Sequence, residues 1–127
     1  MPTVIQTQIN DSPTDLDNNQ DTPLARIQVN QGEPNIMVIG KVVIVNARPE
    51  TVHARVRLTS QDGSIVLDIA QVNIPSNSSQ VVTVIGWITR PDLTPNQIVD
   101  MQARASAFGG ISALWARLIV IGADVLT

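Results

Sequence analysis

His53 is the only histidine of the chain, and there is no cysteine and no tyrosine. Without Cys or a second His, a zinc or copper centre of the usual composition cannot be built. A nucleophile triad would have to recruit His53 with only scattered serines as partners, and His53 lies on the outer parity between Val52 and Ala54. It reads as a solvated side chain. Asp62, Asp68, Asp92 and Asp100 fall in turns or on outer faces, without the apolar setting that tunes a carboxyl pair for glycoside chemistry. Asp15-Leu16-Asp17-Asn18-Asn19 begins like a calcium loop, but Gln20 and Arg26 stand where the sixth-position Gly and twelfth-position Glu belong. Phe108-Gly109-Gly110 reads as a hairpin turn rather than a phosphate cradle. Arg55 and Arg57 alternate on one outer face and suit an acidic partner or a glycan, or simply solvent. Trp87 and Trp115 sit inside apolar strands, which favours core or interface packing over sugar stacking. The chain therefore reads as non-enzymatic, with no catalytic, cofactor-binding or metal-binding residue.

Composition narrows the classes further. One domain of 127 residues can bury a core without disulfide staples. Residues 1–23 hold four Asp and no basic residue, which leaves eight basic against seven acidic residues in 24–127. So neutral a body does not steer towards nucleic acid or an anionic membrane. No apolar run has membrane-spanning length, and no Sec signal peptide opens the sequence.

The elements that position these side chains are strands. Period-two alternation recurs from residue 24 onward with no competing helical stripe. Strands are expected over 24–29, 36–45, 51–59, 64–74, 80–89, 97–107 and 111–125, with turns at Asp62-Gly63, at 75–79 and at 91–96. Val52, Ala54, Val56 and Leu58 point inward, and His53, Arg55, Arg57 and Thr59 outward. Parity changes between Ile69 and Val72, which signals a β-bulge or bend. Gly86, inside a strand, suggests a bend or a close approach. In 111–125, Leu114, Ala116, Leu118 and Val120 share one face, with Ala113, Trp115, Arg117, Ile119 and Ile121 on the other. About seven body strands plus one N-terminal strand make an all-β antiparallel sandwich, jelly-roll or Ig-like.

Strands 36–45, 80–89 and 111–125 are apolar on nearly both faces. Either loops cover the second face, or it lines a subunit interface. The N-terminal segment adds to the second possibility. Thr3 to Ile9 is a short, uncharged, β-prone strand, and residues 10–23 are a polar run. Fully extended, that spacer reaches about 48 Å, and as a coil roughly 20 Å. Residues 1–23 thus read as a connector strand plus flexible linker, and 24–127 as the sandwich domain. The strand is expected to add to a neighbour's sheet edge rather than to its own. Head-to-tail repetition would give a fibre held without covalent links. The expected self-assembly interface comprises Val4, Ile5, Thr7, Ile9, Met37, Ile39, Trp87, Trp115 and Ile119. The partner is the chain itself, with a glycan or surface receptor as a further possibility, and no nucleic acid or membrane insertion.

This layout of connector, polar spacer and compact body resembles the subunits of bacterial endospore appendages, the Ena-type fibres, without their connector cysteines. The closing segment Ile111-Ser-Ala-Leu-Trp-Ala-Arg-Leu-Ile-Val-Ile121 resembles the last strand of C1q/TNF-like jelly rolls. The first resemblance implies an extracellular or spore-surface fibre. The second implies a trimeric binding module whose apolar second faces meet about a threefold axis. A viral or phage shell protein is a third expectation.

Overall fold

The computed structural model describes residues 4–28, 35–60, 65–89 and 98–123, with side chains described except at 4–6, 35, 89 and 123. Nine strands are present among them: β1 Val4–Asn10, β2 Thr14–Asp15, β3 Thr22–Gln28, β4 Asn35–Asn46, β5 Val52–Ser60, β6 Val66–Ile74, β7 Ser78–Thr89, β8 Ile98–Ala105 and β9 Ile111–Ala123. The expected turns at Asp62-Gly63 and 91–96 lie outside the described residues.

Two antiparallel sheets result. The first runs β1-β9-β4-β7, with β2 continuing along the β9 edge that β1 occupies, and the second runs β3-β8-β5-β6. Since β1 and β2 together take one strand position, this is an eight-position, double-sheet jelly roll. Alternation explains the core between the sheets. Ile36, Val38, Val42 and Ile44 of β4 are buried against Val52, Ala54, Val56 and Leu58 of β5, together with the inward residues of β7, β8 and β9.

Three bulges adjust the expected parities. In β9, Trp115 opposes Val43 but Ala113 opposes Ile44, so Leu114 is the extra residue. Ala113 is therefore buried and Leu114 exposed, the reverse of the simple alternation. In β6, Asp68 opposes Leu58 and Val66 opposes Thr59. Leu67 then faces the core and Ile69 the outside, as the parity change predicted in kind; Thr59, just past the shift, is buried rather than outward. A third shift lies between Pro23 and Ala25.

Gly86 proves to be a close approach. An added Cβ there would stand 2.6 Å from the Leu67 Cβ of the other sheet. Gly109 and Gly110 adopt φ of 91° and 78°, conformations that glycine accepts without steric cost. They do not close a hairpin, because β8 and β9 belong to different sheets. The turn instead crosses the sandwich, and Arg48 fastens it by donating to the Phe108 and Gly109 carbonyls.

The N-terminal segment differs most from expectation. β1 pairs over its whole length with β9 of its own chain, from Val4 opposite Gly122 to Asn10 opposite Ala116. The run from 10 to 23 is anchored as it crosses between the sheets. Leu16 is buried at 1% exposure and its N–H donates to the Ile111 carbonyl. The Asn10 amide donates to the Leu24 carbonyl, and the Asp17 carbonyl accepts from the Ala105 N–H. Asp21 closes the crossing with ion pairs to Arg55 and Arg57. Polarity alone hid this, since one leucine and a few backbone bonds hold a segment that otherwise has little to bury.

Candidate functional site

The outer face of the first sheet is the feature the fold leaves unaccounted for. Pairing registers align its residues in rows across four strands. One row reads Thr7, Ile119, Ile39, Ile85, and its neighbour ends Ile121, Met37, Trp87. Two rows in the other direction, Trp115, Val43 and Val81 extend the apolar ground. Ile9, Val81, Ile85 and Trp87 are 47–59% exposed, while Met37, Ile39, Val43, Trp115, Ile119 and Ile121 are half-buried by their own neighbours.

Between these rows runs one of a different kind: Ile9, Arg117, Lys41, Thr83. Lys41 and Arg117 are exposed and directly opposed, an arrangement that costs stability when the charges are alike. The Arg117 guanidinium lies 4.8 Å from the centroid of the Trp115 ring, which offers it the negative face of a π system. Among the described residues no carboxylate pairs with either cation.

The residues expected to form an interface are thus assembled from four strands far apart in sequence. Thr7, Ile9, Met37, Ile39, Trp87, Trp115 and Ile119 stand on this one face. Ile5 shares their register opposite Ile121, Val4 is out of parity with them, and the side chains of both lie outside the described residues. Sequence reasoning missed the exposed Val81 and Ile85 and the paired cations; the apolar second face of 80–89 was the signal for the first two.

The second sheet's outer face is mostly polar, with Ile69 exposed on it. His53 is exposed there and its Nδ1 hydrogen-bonds the Asn73 side-chain oxygen. Asp100 is buried, although it was expected outside, because Arg26 folds over it with contacts of 2.6 and 3.1 Å. The Asp100 carboxylate holds the Arg26 guanidinium pKa above its ordinary value. Among the described residues no group of three His, Asp or Glu side chains is placed to hold a metal ion.

No protein-family model matches the chain, and no curated protein sequence matches it. Solved structures do. A chain of infectious bursal disease virus, Gx strain, superposes with a TM-score of 0.63 at 12% identity over 98% of this chain and 34% of the viral one. Eiger TNF from S. frugiperda superposes with a TM-score of 0.53 at 10% identity, covering 98% of this chain and 94% of that one. A cyclase from Fischerella sp. TAU gives 0.53 at 18% identity over 80% of this chain and 57% of that one. The chain spans about a third of the viral protein but nearly all of the TNF. At such identities the likeness is one of fold, and it is a likeness to jelly rolls. The TNF-like resemblance of the closing strand agrees with it, whereas the endospore-appendage resemblance stays one of layout.

Proposed function

We propose that this chain is a non-enzymatic structural subunit that associates with copies of itself into a closed ring, a trimer of the TNF-like kind or the corresponding unit of a viral shell. The observation that carries this reading is the exposed apolar outer face of the first sheet, with Lys41 and Arg117 set into it. Monomers rarely leave so continuous an apolar surface in water. Four strands about 4.8 Å apart and twelve residues rising about 3.3 Å each make a face of roughly 750 Å². That is close to the roughly 800 Å² that each partner contributes to a standard interface.

Electrostatics favours a cyclic contact over a face-to-face pair. A twofold axis through the middle of the sheet would set four cations against one another. A heterologous contact brings a different surface of the next copy instead. Asp11 and Asp15, exposed on the segment that edges the first sheet, supply carboxylates of the required sign. Seating of β1 on its own β9 supports a closed oligomer over a fibre, because donation would first require β1 to leave that edge.

Sedimentation velocity on the full chain tests the reading. A trimer is expected, with Trp87→Asp converting it to monomer at unchanged far-ultraviolet circular dichroism. A wild-type chain that stays monomeric at high micromolar concentration would overturn the proposal, and filaments in electron micrographs would return the reading to strand donation.

A further inference from the structure

On the opposite side of the molecule, the second sheet carries an open cleft of about 370 Å³. Its floor is made by the outward side chains of β5, β6 and β8, and residues 17–21 pass along it as they cross between the sheets. From the registers, Arg104 of β8, Arg55 of β5 and Gln71 of β6 form one row. His53 opposite Asn73 forms the next.

The arginines of this region are only partly satisfied. Arg55 and Arg104 are directly opposed, and Arg57 lies two residues along β5. Among the described residues Asp21 is the only carboxylate paired with these three, accepting from Arg55 at 3.1 Å and from Arg57 at 3.0 Å. Arg104 gives its Nε–H to the Asn18 carbonyl at 3.1 Å, and its two terminal nitrogens have no partner among the described residues. The Nε atoms of Arg55 and Arg57 are buried and have none either. Like charges in direct register destabilise a sheet, and a buried donor left unbonded costs further free energy. An anion in the cleft would relieve the first of these. A guanidinium presents two parallel N–H groups, which suit a carboxylate or a sulfate.

The remaining lining narrows the ligand. Asn18, Gln71, Asn73 and Ser106 offer amides and a hydroxyl, groups that exchange hydrogen bonds with sugar hydroxyls. The lining holds no Trp, Tyr or Phe ring to stack on a neutral pyranose, and only the smaller His53 imidazole, so most of the affinity has to come from charge. We infer that this cleft binds an acidic saccharide, with the sugar's carboxylate on the terminal nitrogens of Arg104 beside Arg55 and its hydroxyls on Gln71 and Asn73. This site lies on the sheet opposite the apolar face proposed for the subunit contact.

The test is a titration of the ¹⁵N-labelled full chain with D-glucuronate, with D-glucose and acetate in parallel. Saturable shifts confined to 53–55, 71–73 and 104–106 are expected with glucuronate, with D-glucose inert and acetate much weaker. Gln71→Glu, at an exposed position, places an internal carboxylate opposite Arg55 and should weaken glucuronate at least tenfold without altering the fold. Arg104→Ala should do the same. Absence of saturable glucuronate shifts, equal binding of glucose, or binding that both variants leave intact would overturn the inference. Acetate binding as tightly as glucuronate would overturn its saccharide part.

Discussion

Lys41 and Arg117 stand directly opposite each other across β4 and β9, two exposed cations in the middle of an apolar sheet face. Nothing in the described chain neutralises them, and only the Trp115 ring lies against one of them. Lys41→Glu therefore separates two effects. Within the monomer it turns a like pair into an opposite pair, a gain of about 0.2–1 kcal/mol. In the proposed oligomer it would remove a cation from the contact surface. Thermal stability of the isolated subunit should hold or rise while the apparent trimer dissociation constant increases. Parallel loss of both would mean that Lys41 supports the fold and not the contact.

The segment from residue 10 to 23 belongs to the sandwich through Leu16. Leu16→Ala should cost about 2–5 kcal/mol, as for any fully buried leucine. Leu114→Ala, on the exposed bulge of β9, should change stability by less than about 0.5 kcal/mol. Urea denaturation of both variants checks the placement. A chain lacking residues 1–12 should lose cooperative unfolding or aggregate through the bared β9 edge. A discrete, fully stable truncated monomer would show instead that β1 is dispensable to the body.

Gly86 packs against the Leu67 side chain of β6, where a Cβ–Cβ approach of 2.6 Å is not attainable. Gly86→Ala must push the sheets apart locally, at a cost of about 1–3 kcal/mol. The melting temperature should fall accordingly. Crystals of the variant should show β6 displaced from β7.

Asn46 is fully buried and organises a corner of the fold. Its amide nitrogen donates to the Glu50, Ile74 and Pro75 carbonyls, and its oxygen accepts from the Arg48 N–H. Asn46→Ala should cost about 1–3 kcal/mol through unsatisfied carbonyls. Asn46→Asp should be worse at pH 7, since an ionised carboxylate would face three carbonyl oxygens. Burial and those oxygens would raise its pKa above the unfolded value. The folded state would then hold the proton more tightly, and the defect should shrink as pH falls towards 4. Melting curves at pH 4 and pH 7 decide this.

The strands and most of their faces are legible in the local pattern of residues. Period two is local, so alternation along β4, β5 and β8 was enough to separate Val52, Ala54, Val56 and Leu58 from His53, Arg55 and Arg57. It also marked β4, β7 and β9 as having a second apolar face, and that was the legible part of the candidate interface. The remainder is non-local. Bulges depend on the partner strand, so no local pattern could tell that Leu114 turns out and Ala113 in. Whether β1 pairs with its own β9 or with a neighbour's depends on what anchors the segment behind it, and one leucine and an aspartate do so through residues some 35 to 95 positions away. The same holds for the cations: sequence shows eight basic residues scattered along the chain, and only sheet register sets Lys41 beside Arg117 on one side and Arg55 beside Arg104 on the other. Alternation records which way a side chain points, whereas its neighbour across the strand is set by the pairing of distant segments.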